Sequence, residues 1–289
     1  MAAEVLQQDG QSKAERDGQA APRSEQLLAD GATPLVGSHL YTRRDYWDAR
    51  FETEDVKEWL CAFKDIRGLL EELLPENRDA KILLVGCGNS ELGADLVREL
   101  GCTDLTASDY SETCVARMAA KHAAVAGLRY AYADMLDLGA TFAAGAFDVV
   151  LDKAGFDAVV ADGGGDRWTP TDAAVAAAEK LAASVAHVLR DGGRFLQITF
   201  SQPHFRRPLL LAGGAASPWA RCESRAVDVG FGYACFALDK RRPGDAAAAA
   251  PEARPADAAR RRAPSASSDD EADVAAAFMA AGLSSDDEA

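Results

Sequence analysis

The apolar run Lys81-Ile82-Leu83-Leu84-Val85 leads without a break into Gly86-Cys87-Gly88-Asn89-Ser90-Glu91-Leu92, a buried strand feeding a glycine turn that opens a helix. Glycines in such a turn let the backbone come close to a ligand. Asp109 ends the next strand, 23 residues after Gly86. That is near the spacing at which a carboxylate takes two ribose hydroxyls. The arrangement puts a nucleotide-like ligand at the carboxyl edge of a parallel sheet; the plainer alternative is a strand-to-helix turn that holds nothing.

The glycine pattern argues against a dinucleotide. That fingerprint needs G-x-G-x-x-G, so that the helix packs closely and its free amides face a pyrophosphate. Here the third glycine is Glu91. An acidic side chain near a helix start repels a pyrophosphate and suits the helix dipole when no phosphate is bound. A phosphate-free adenosine cofactor, S-adenosylmethionine, fits better.

Composition narrows the setting. The 289 residues are 48% hydrophobic, and no apolar run nears the roughly 20 residues that span a bilayer. The expectation is a soluble chain with one sizeable core plus tails, off the membrane. The start, with Glu4 and Asp9, lacks the basic and apolar blocks of an export signal, which points to the cytoplasm. Cys61, Cys87, Cys102, Cys114, Cys222 and Cys235 sit singly, so reduced thiols are expected and no metal site. A net charge of −15 disfavours direct nucleic-acid binding and accommodates a basic partner, or simply keeps the chain in solution.

Three regions follow from composition. Residues 1–36 carry few large apolar side chains and read as a disordered leader. Residues 241–289 form a low-complexity acidic tail, in which 267–271 and 284–288 resemble acidophilic kinase sites or plain solvated chain, flanking a short helical candidate at 274–279. Between them, 37–240 alternates helix and strand. Trp59, Leu60, Phe63, Ile66, Leu69, Leu70 and Leu73 predict a helix over 57–74, closed by Pro75. Strands are predicted at 81–85, 104–108, 128–133, 147–151 and 193–200, and helices at 90–100, 111–126 and 171–190, the last with Thr171 as N-cap. Alternation of this kind means a parallel sheet covered on both faces. Residues 221–229 and 231–239, parted only by Gly230, add an antiparallel hairpin. The expected fold is α/β: a Rossmann-like, mostly parallel seven-stranded sheet of class I methyltransferase type, closed by a C-terminal hairpin.

Candidate site residues cluster at the ends of those strands. Asp109 suits a ribose, or a helix cap alone; Tyr110 stacks beside an adenine and Ser111 caps the following helix. Asp134 can accept from an adenine amino group, with Met135 a soft apolar surface for the ring. The fourth strand adjoins the first at the switch in strand order, so Asp152, Lys153 and Asp157 should line the mouth where donor and acceptor meet. Lys153 either touches a cofactor carboxylate or holds the loop, or pairs with Asp157 at the surface. Trp47 and Phe51, four apart on a helix, and Trp59 after them, either lid the cofactor or belong to the core.

Together these blocks resemble the methyltransferase-like lysine methyltransferases that act on translation elongation factor 1-alpha. The matching pieces are Tyr46-Trp47-Asp48 with Arg50-Phe51, the run from Leu84 to Leu92, Asp109-Tyr110-Ser111, Asp134-Met135, the run from Phe147 to Lys153, Val188-Leu189 with Gly192-Gly193-Arg194-Phe195, and Pro203-His204-Phe205-Arg206. The resemblance covers roughly residues 41–240. It implies S-adenosylmethionine as cofactor, with Trp47, Phe51, Trp59, Gly86, Gly88, Asn89, Asp109, Tyr110, Asp134, Met135 and Lys153 as its contacts. It also implies a monomeric enzyme with a protein substrate, elongation factor 1-alpha or a similar protein. Two features depart from the family. Ala154-Gly155-Phe156-Asp157 stands where Gly-Thr-Leu-Asp or Gly-Thr-Phe-Asp is usual, and the loop 162–166 is unusually glycine-rich.

The expected reaction is N-methylation of a lysine side chain, whose amine must shed a proton before attack. Asp157, then Asp152, are the candidates to receive it. A cofactor-binding scaffold without transfer activity, or a small-molecule methyltransferase, are the competing readings.

Overall fold

The computed structural model describes residues 38–161, 170–230 and 232–248. The expected leader, the glycine-rich loop 162–166 and the tail beyond residue 248, with its serine clusters and helical candidate, lie outside the described residues. A short 3-10 turn, Ser38–Thr42, leads into α1 (Arg44–Thr53) and α2 (Phe63–Leu73). Then follow β1 (Lys81–Val85), α3 (Leu92–Leu100), β2 (Asp104–Asp109), α4 (Glu112–Lys121), β3 (Leu128–Tyr132) and β4 (Phe147–Lys153). The chain continues through α5 (Gly155–Val159), α6 (Asp172–Val188), β5 (Leu189–Thr199), α7 (Pro203–Leu210), β6 (Trp219–Val227) and β7 (Tyr233–Lys240).

The strands form one seven-stranded sheet in the order β3-β2-β1-β4-β5-β7-β6. β1 to β5 pair in parallel, while β7 runs antiparallel between β5 and β6. The expected hairpin is therefore present, with β7, its second strand, inserted next to β5. Strand order reverses at β1, whose neighbours are β2 and β4, and the crevice at that reversal is where ligands of open α/β sheets sit.

Side-chain alternation along β1 explains why both faces need cover. Leu83 and Val85 face α6 and α7, packing with Leu181, Val185, Leu209 and Leu210. Ile82 and Leu84 face α2 and α3, packing with Ile66, Leu70, Leu92 and Leu96. Leu70 and Leu83 are wholly buried, and truncating such a leucine to alanine costs about 2–5 kcal/mol. On the rim, Phe51 of α1 joins Cys114 and Met118 of α4 in a smaller cluster.

Three differences from the sequence reading have local causes. The predicted helix over 57–74 begins only at Phe63. Before it the chain is not helical: it turns tightly at Leu60, φ +69°, where the Cys61 amide donates to Trp59 O at 2.9 Å, and the carbonyls of Trp59 and Cys61 also accept from the Lys153 ammonium. β5 starts at Leu189, four residues before the expected position, since Asp191-Gly192-Gly193 forms an irregularity inside the strand rather than a stop ahead of it. A short helix, α5, also follows β4 where none was expected.

Ala154 joins β4 to α5 at φ +70°, ψ −12°, a left-handed conformation that costs a β-carbon about 1–2 kcal/mol. Its amide donates to Ile198 O at 3.0 Å, which fixes it there. Ala154→Gly should therefore raise stability by about 0.5–1 kcal/mol in urea denaturation, glycine's greater chain entropy offsetting part of the relieved strain; a loss of stability would refute the strain.

Candidate active site

Two backbones meet at the switch point. A β-carbon added to Gly86, at φ +56°, would lie 2.5 Å from Met135 Cε; one on Gly155 would lie 2.7 Å from the same methyl and 2.6 Å from Asp152 Oδ1. The β1 and β4 turns thus form a notch between two glycines, with the Met135 methyl and the Asp152 carboxyl packed against it. Gly88, at φ +50°, lies under the Phe51 ring, 3.5 Å from where its β-carbon would be.

Asp109 ties the glycine turn to the end of β2. It is 4% exposed, with Oδ2 accepting from the Gly88 amide and Oδ1 from the Ser111 amide, both at 3.0 Å. Burial pushes its carboxyl up to about 6, against the pull of those amides. The cap of α4 is Ser111, whose hydroxyl accepts from the Cys114 amide at 3.3 Å. Capping is therefore not what Asp109 is needed for, and a carboxylate keeps acceptor capacity beyond these amides. Tyr110 is half-buried beside it, with the Arg44 guanidinium 5.7 Å from its ring centre and 5.3 Å from that of Tyr132. Asp134 is exposed at the neighbouring strand end, its carboxylate accepting from the Leu136 amide at 2.8 Å.

The aromatic residues gather over the turn. Trp47 stacks on Phe51 with ring centres 5.8 Å apart and meets Trp59 edge-on at 5.8 Å, while the Arg50 guanidinium lies 5.0 Å from the Trp59 ring centre. Phe51 is buried, and Trp47 and Trp59 are half-buried.

What holds Trp59 there is a residue that spacing did not reveal. Glu58 Oε1 accepts from the Glu91 amide at 2.7 Å, and Oε2 accepts from Ser90 Oγ at 2.8 Å and Lys153 Nζ at 3.0 Å. Lys153 also donates to Trp59 O at 2.8 Å and Cys61 O at 3.3 Å. Of the roles open to Lys153 in the sequence, these contacts describe the one that holds a loop. Asn89 adds a second tie, its Nδ2 donating to Asp55 O, and its buried Oδ1 has no protein partner. The Glu91 side chain itself turns toward α4, meeting Lys121 Nζ at 2.5 Å and His122 Nε2 at 3.0 Å. The carboxylate at the start of α3 is thus Glu58, and it occupies the ground a pyrophosphate would need. Together with the notch and Asp109, this donor set suits an adenosine cofactor without phosphates.

Asp152 lies on the opposite face of β4 from Lys153, and Asp157 follows on α5. Both Asp152 oxygens accept from the Phe156 amide at 3.2 Å, and burial, with Asp157 nearby, pushes the carboxyl up to about 7. Asp157 accepts from Thr199 Oγ1 at 2.5 Å and is ion-paired with Arg206, both side chains 3% exposed. Burial raises its carboxyl, opposed by Arg206 and Thr199. Asp157 thus meets Arg206, not Lys153. Nothing in spacing marked Arg206 or Thr199; Arg206 lay within Pro203-His204-Phe205-Arg206 without a role.

A sheet reversing at β1, a glycine notch at that reversal and a buried acid at the end of β2 are the features of a class I, S-adenosylmethionine-dependent methyltransferase. Comparison with known proteins agrees, a methyltransferase domain pattern matching residues 82–193. EEF1A lysine methyltransferase 4 of Mus musculus is 39% identical over 189 residues, 62% of this chain and 71% of that protein. The eEF1A lysine and N-terminal methyltransferase of Danio rerio is 35% identical over 167 residues, 57% of this chain and 22% of that protein. The mitochondrial citrate synthase-lysine N-methyltransferase of Pongo abelii is 30% identical over 192 residues, 59% of this chain and 75% of that protein. The chain belongs to the eEF1A lysine methyltransferase family. Among the described residues no helix is long and apolar enough to cross a membrane.

Two measurements probe this geometry. An ionised Asp109 can accept from two hydroxyls and a protonated one cannot, so calorimetric affinity for S-adenosylmethionine should weaken as pH falls through about 6. Asp109→Ala should abolish binding, and unchanged binding would remove the carboxylate from the site. Glu58→Ala should cost about 1–3 kcal/mol by leaving the buried Lys153 ammonium with carbonyl partners only. Combined with Lys153→Met, the loss should be less than additive; strict additivity would mean the two are not coupled.

Proposed function

We propose that the chain transfers a methyl group from S-adenosylmethionine to a lysine side-chain amine of translation elongation factor 1-alpha, and that Asp152 receives the proton the lysine gives up. The observation that carries the reading is the packing of the buried Asp152 carboxyl against the Gly155 notch, where a β-carbon on Gly155 would lie 2.6 Å from Asp152 Oδ1 and 2.7 Å from the Met135 methyl. S-adenosylmethionine supplies a methyl already made electrophilic by a positively charged sulfur. What remains for the protein is alignment, exclusion of water and removal of one proton. Asp109 and Asp134 suit the ribose and the adenine. Trp47, Phe51 and Trp59 form an apolar cover over the turn.

A free lysine has a pKa near about 10.4, so at neutral pH almost all of it is ammonium. A carboxyl raised to about 7 is better matched to taking that proton than one at the ordinary carboxylate value. Asp157 is less suited, because Thr199 and Arg206 already occupy its Oδ1. The altered loop after β4 does not favour a scaffold without transfer activity, since Gly155 puts no side chain into the notch. The choice of acceptor protein rests on the names of the relatives, two of those compared being eEF1A enzymes and the less similar one a citrate synthase enzyme. A net charge of −15 also suits a basic substrate segment.

The test is to incubate the full chain with methyl-labelled S-adenosylmethionine and purified elongation factor 1-alpha, with citrate synthase in parallel, and to map label by peptide mass spectrometry. Label should appear on a lysine of the elongation factor. Asp152→Asn should keep cofactor binding and lower the rate at pH 7 by about 100-fold or more. Label confined to citrate synthase or to low-mass material would overturn the substrate assignment, and an undiminished rate in Asp152→Asn would overturn the role of Asp152.

A further inference from the structure

The described part of the chain buries an ion pair that the cofactor site does not use. Arg206, from α7, reaches under the end of the sheet to Asp157 on α5, and its guanidinium lies 4.6 Å from the Phe156 ring centre. As a stabilising device the pair is poor. Asp157 Oδ2 and Arg206 Nε and Nη1 are buried without a protein partner, and such groups carry a desolvation cost that a buried ion pair often fails to recover. Its position is more telling. Asp152 and Gln197 are register partners on β4 and β5, and Thr199 comes two residues later on the same face. Asp152, Gln197, Thr199, Asp157 and Arg206 therefore make one buried polar cluster directly behind the notch.

We propose that Arg206 is a positioning residue for methyl transfer: its guanidinium occupies Asp157, so that Asp152 is the carboxyl left to take the substrate's proton. Without that cation, the buried carboxyls of Asp152 on β4 and Asp157 on α5 would share one proton, as closely placed acids do. Asp152 would then stay protonated through neutral pH and could accept nothing from an ammonium. The groups facing Asp152 are few. They are Asp157 from α5, Arg206 from α7 and the uncharged Gln197 from β5, with Met135 across the notch. Lys153, next to it in sequence, points to the other face of the strand and is held by Glu58. Arg206 is thus the cation beside the carboxyl pair, and a lysine at the same place retains charge but not the planar contact with Phe156.

This inference rests on the proposed role of Asp152, and the experiment separates the two. The Asp152 carboxyl is titrated by carbon-13 NMR in the full chain, its resonance assigned by its absence in Asp152→Asn. In Arg206→Met the titration midpoint should rise by about one pH unit or more, while Arg206→Lys should stay near the parent value. Asp157→Asn should lower the midpoint, and the double variant Arg206→Met with Asp157→Asn should return it toward the parent. These last two keep the test decisive if Arg206→Met does not fold. A midpoint unmoved by Arg206→Met, or by Asp157→Asn where the first variant is unfolded, overturns the proposal. The pH profile of kcat/KM on purified elongation factor 1-alpha is measured beside it. A profile that moves with the midpoint supports both readings. A midpoint that moves under an unchanged profile retires Asp152 as proton acceptor, and with it the part of Arg206 in transfer.

Discussion

One carboxylate holds the cofactor end of this molecule together. Glu58 lies in an extended segment with no secondary structure of its own, yet it joins three elements: the amide and hydroxyl at the start of α3, the ammonium at the end of β4 and, through its own chain, Trp59. Each contact is favourable for a stated reason. A helix N-terminus presents unpaired amides and a partial positive charge, and charge-assisted hydrogen bonds are roughly twice as strong as neutral ones. The same contacts dictate the shape of the segment. Once Lys153 takes the carbonyls of Trp59 and Cys61, those residues cannot continue a helix backward from α2, and the chain crosses the glycine turn as a strap. The anion site that a dinucleotide enzyme leaves for its ligand is here used internally, so the cleft is shaped for an adenosine cofactor that brings no phosphate.

The acids around the cleft show how one residue type is made to differ by environment. Asp109 is raised by burial to about 6 against the pull of the Ser111, Gly88 and Tyr110 amides. Asp152, with one amide and another carboxyl close by, is raised further, to about 7. Asp134 stands in the open. Ribose binding calls for an acceptor that is ionised at neutral pH, and proton removal calls for one balanced near it. Burial raises both; three amides oppose it at Asp109, while the neighbouring Asp157 charge adds to it at Asp152.

Much of this was legible because it is local. The apolar alternation of 81–85, the glycines at its end and the acid one strand later are set by neighbours in the chain, and the structure puts them at the sheet reversal where such a pattern belongs. The seven strands and their terminal hairpin were likewise readable from periodicity. What was not legible depends on contacts between distant segments. Glu58 and Lys153 are 95 residues apart and Asp157 and Arg206 are 49 apart, and no periodicity links either pair. The over-long helix prediction at 57–62 has the same origin, since Trp59 and Leu60 fit a helical stripe until the ammonium of Lys153 claims the carbonyls. Glu91 was read as the acid that would repel a pyrophosphate, but its side chain faces α4, and the carboxylate at the start of α3 is that of Glu58.

The loop after β4 brings these strands of argument together. The related enzymes usually have glycine then threonine where this chain has Ala154 then Gly155. The backbone at 154 is left-handed, so a glycine there is relaxed and an alanine is strained. At 155 the reverse holds, because any β-carbon would press on Asp152 Oδ1 at 2.6 Å. The chain accepts strain at a position fixed by its hydrogen bond to β5, and the neighbouring position loses the atom that would stand between Asp152 and the cleft. Gly155 thus keeps a side chain off a carboxyl that the fold otherwise buries, so the tightest packing at the sheet reversal falls on the residue that has no β-carbon.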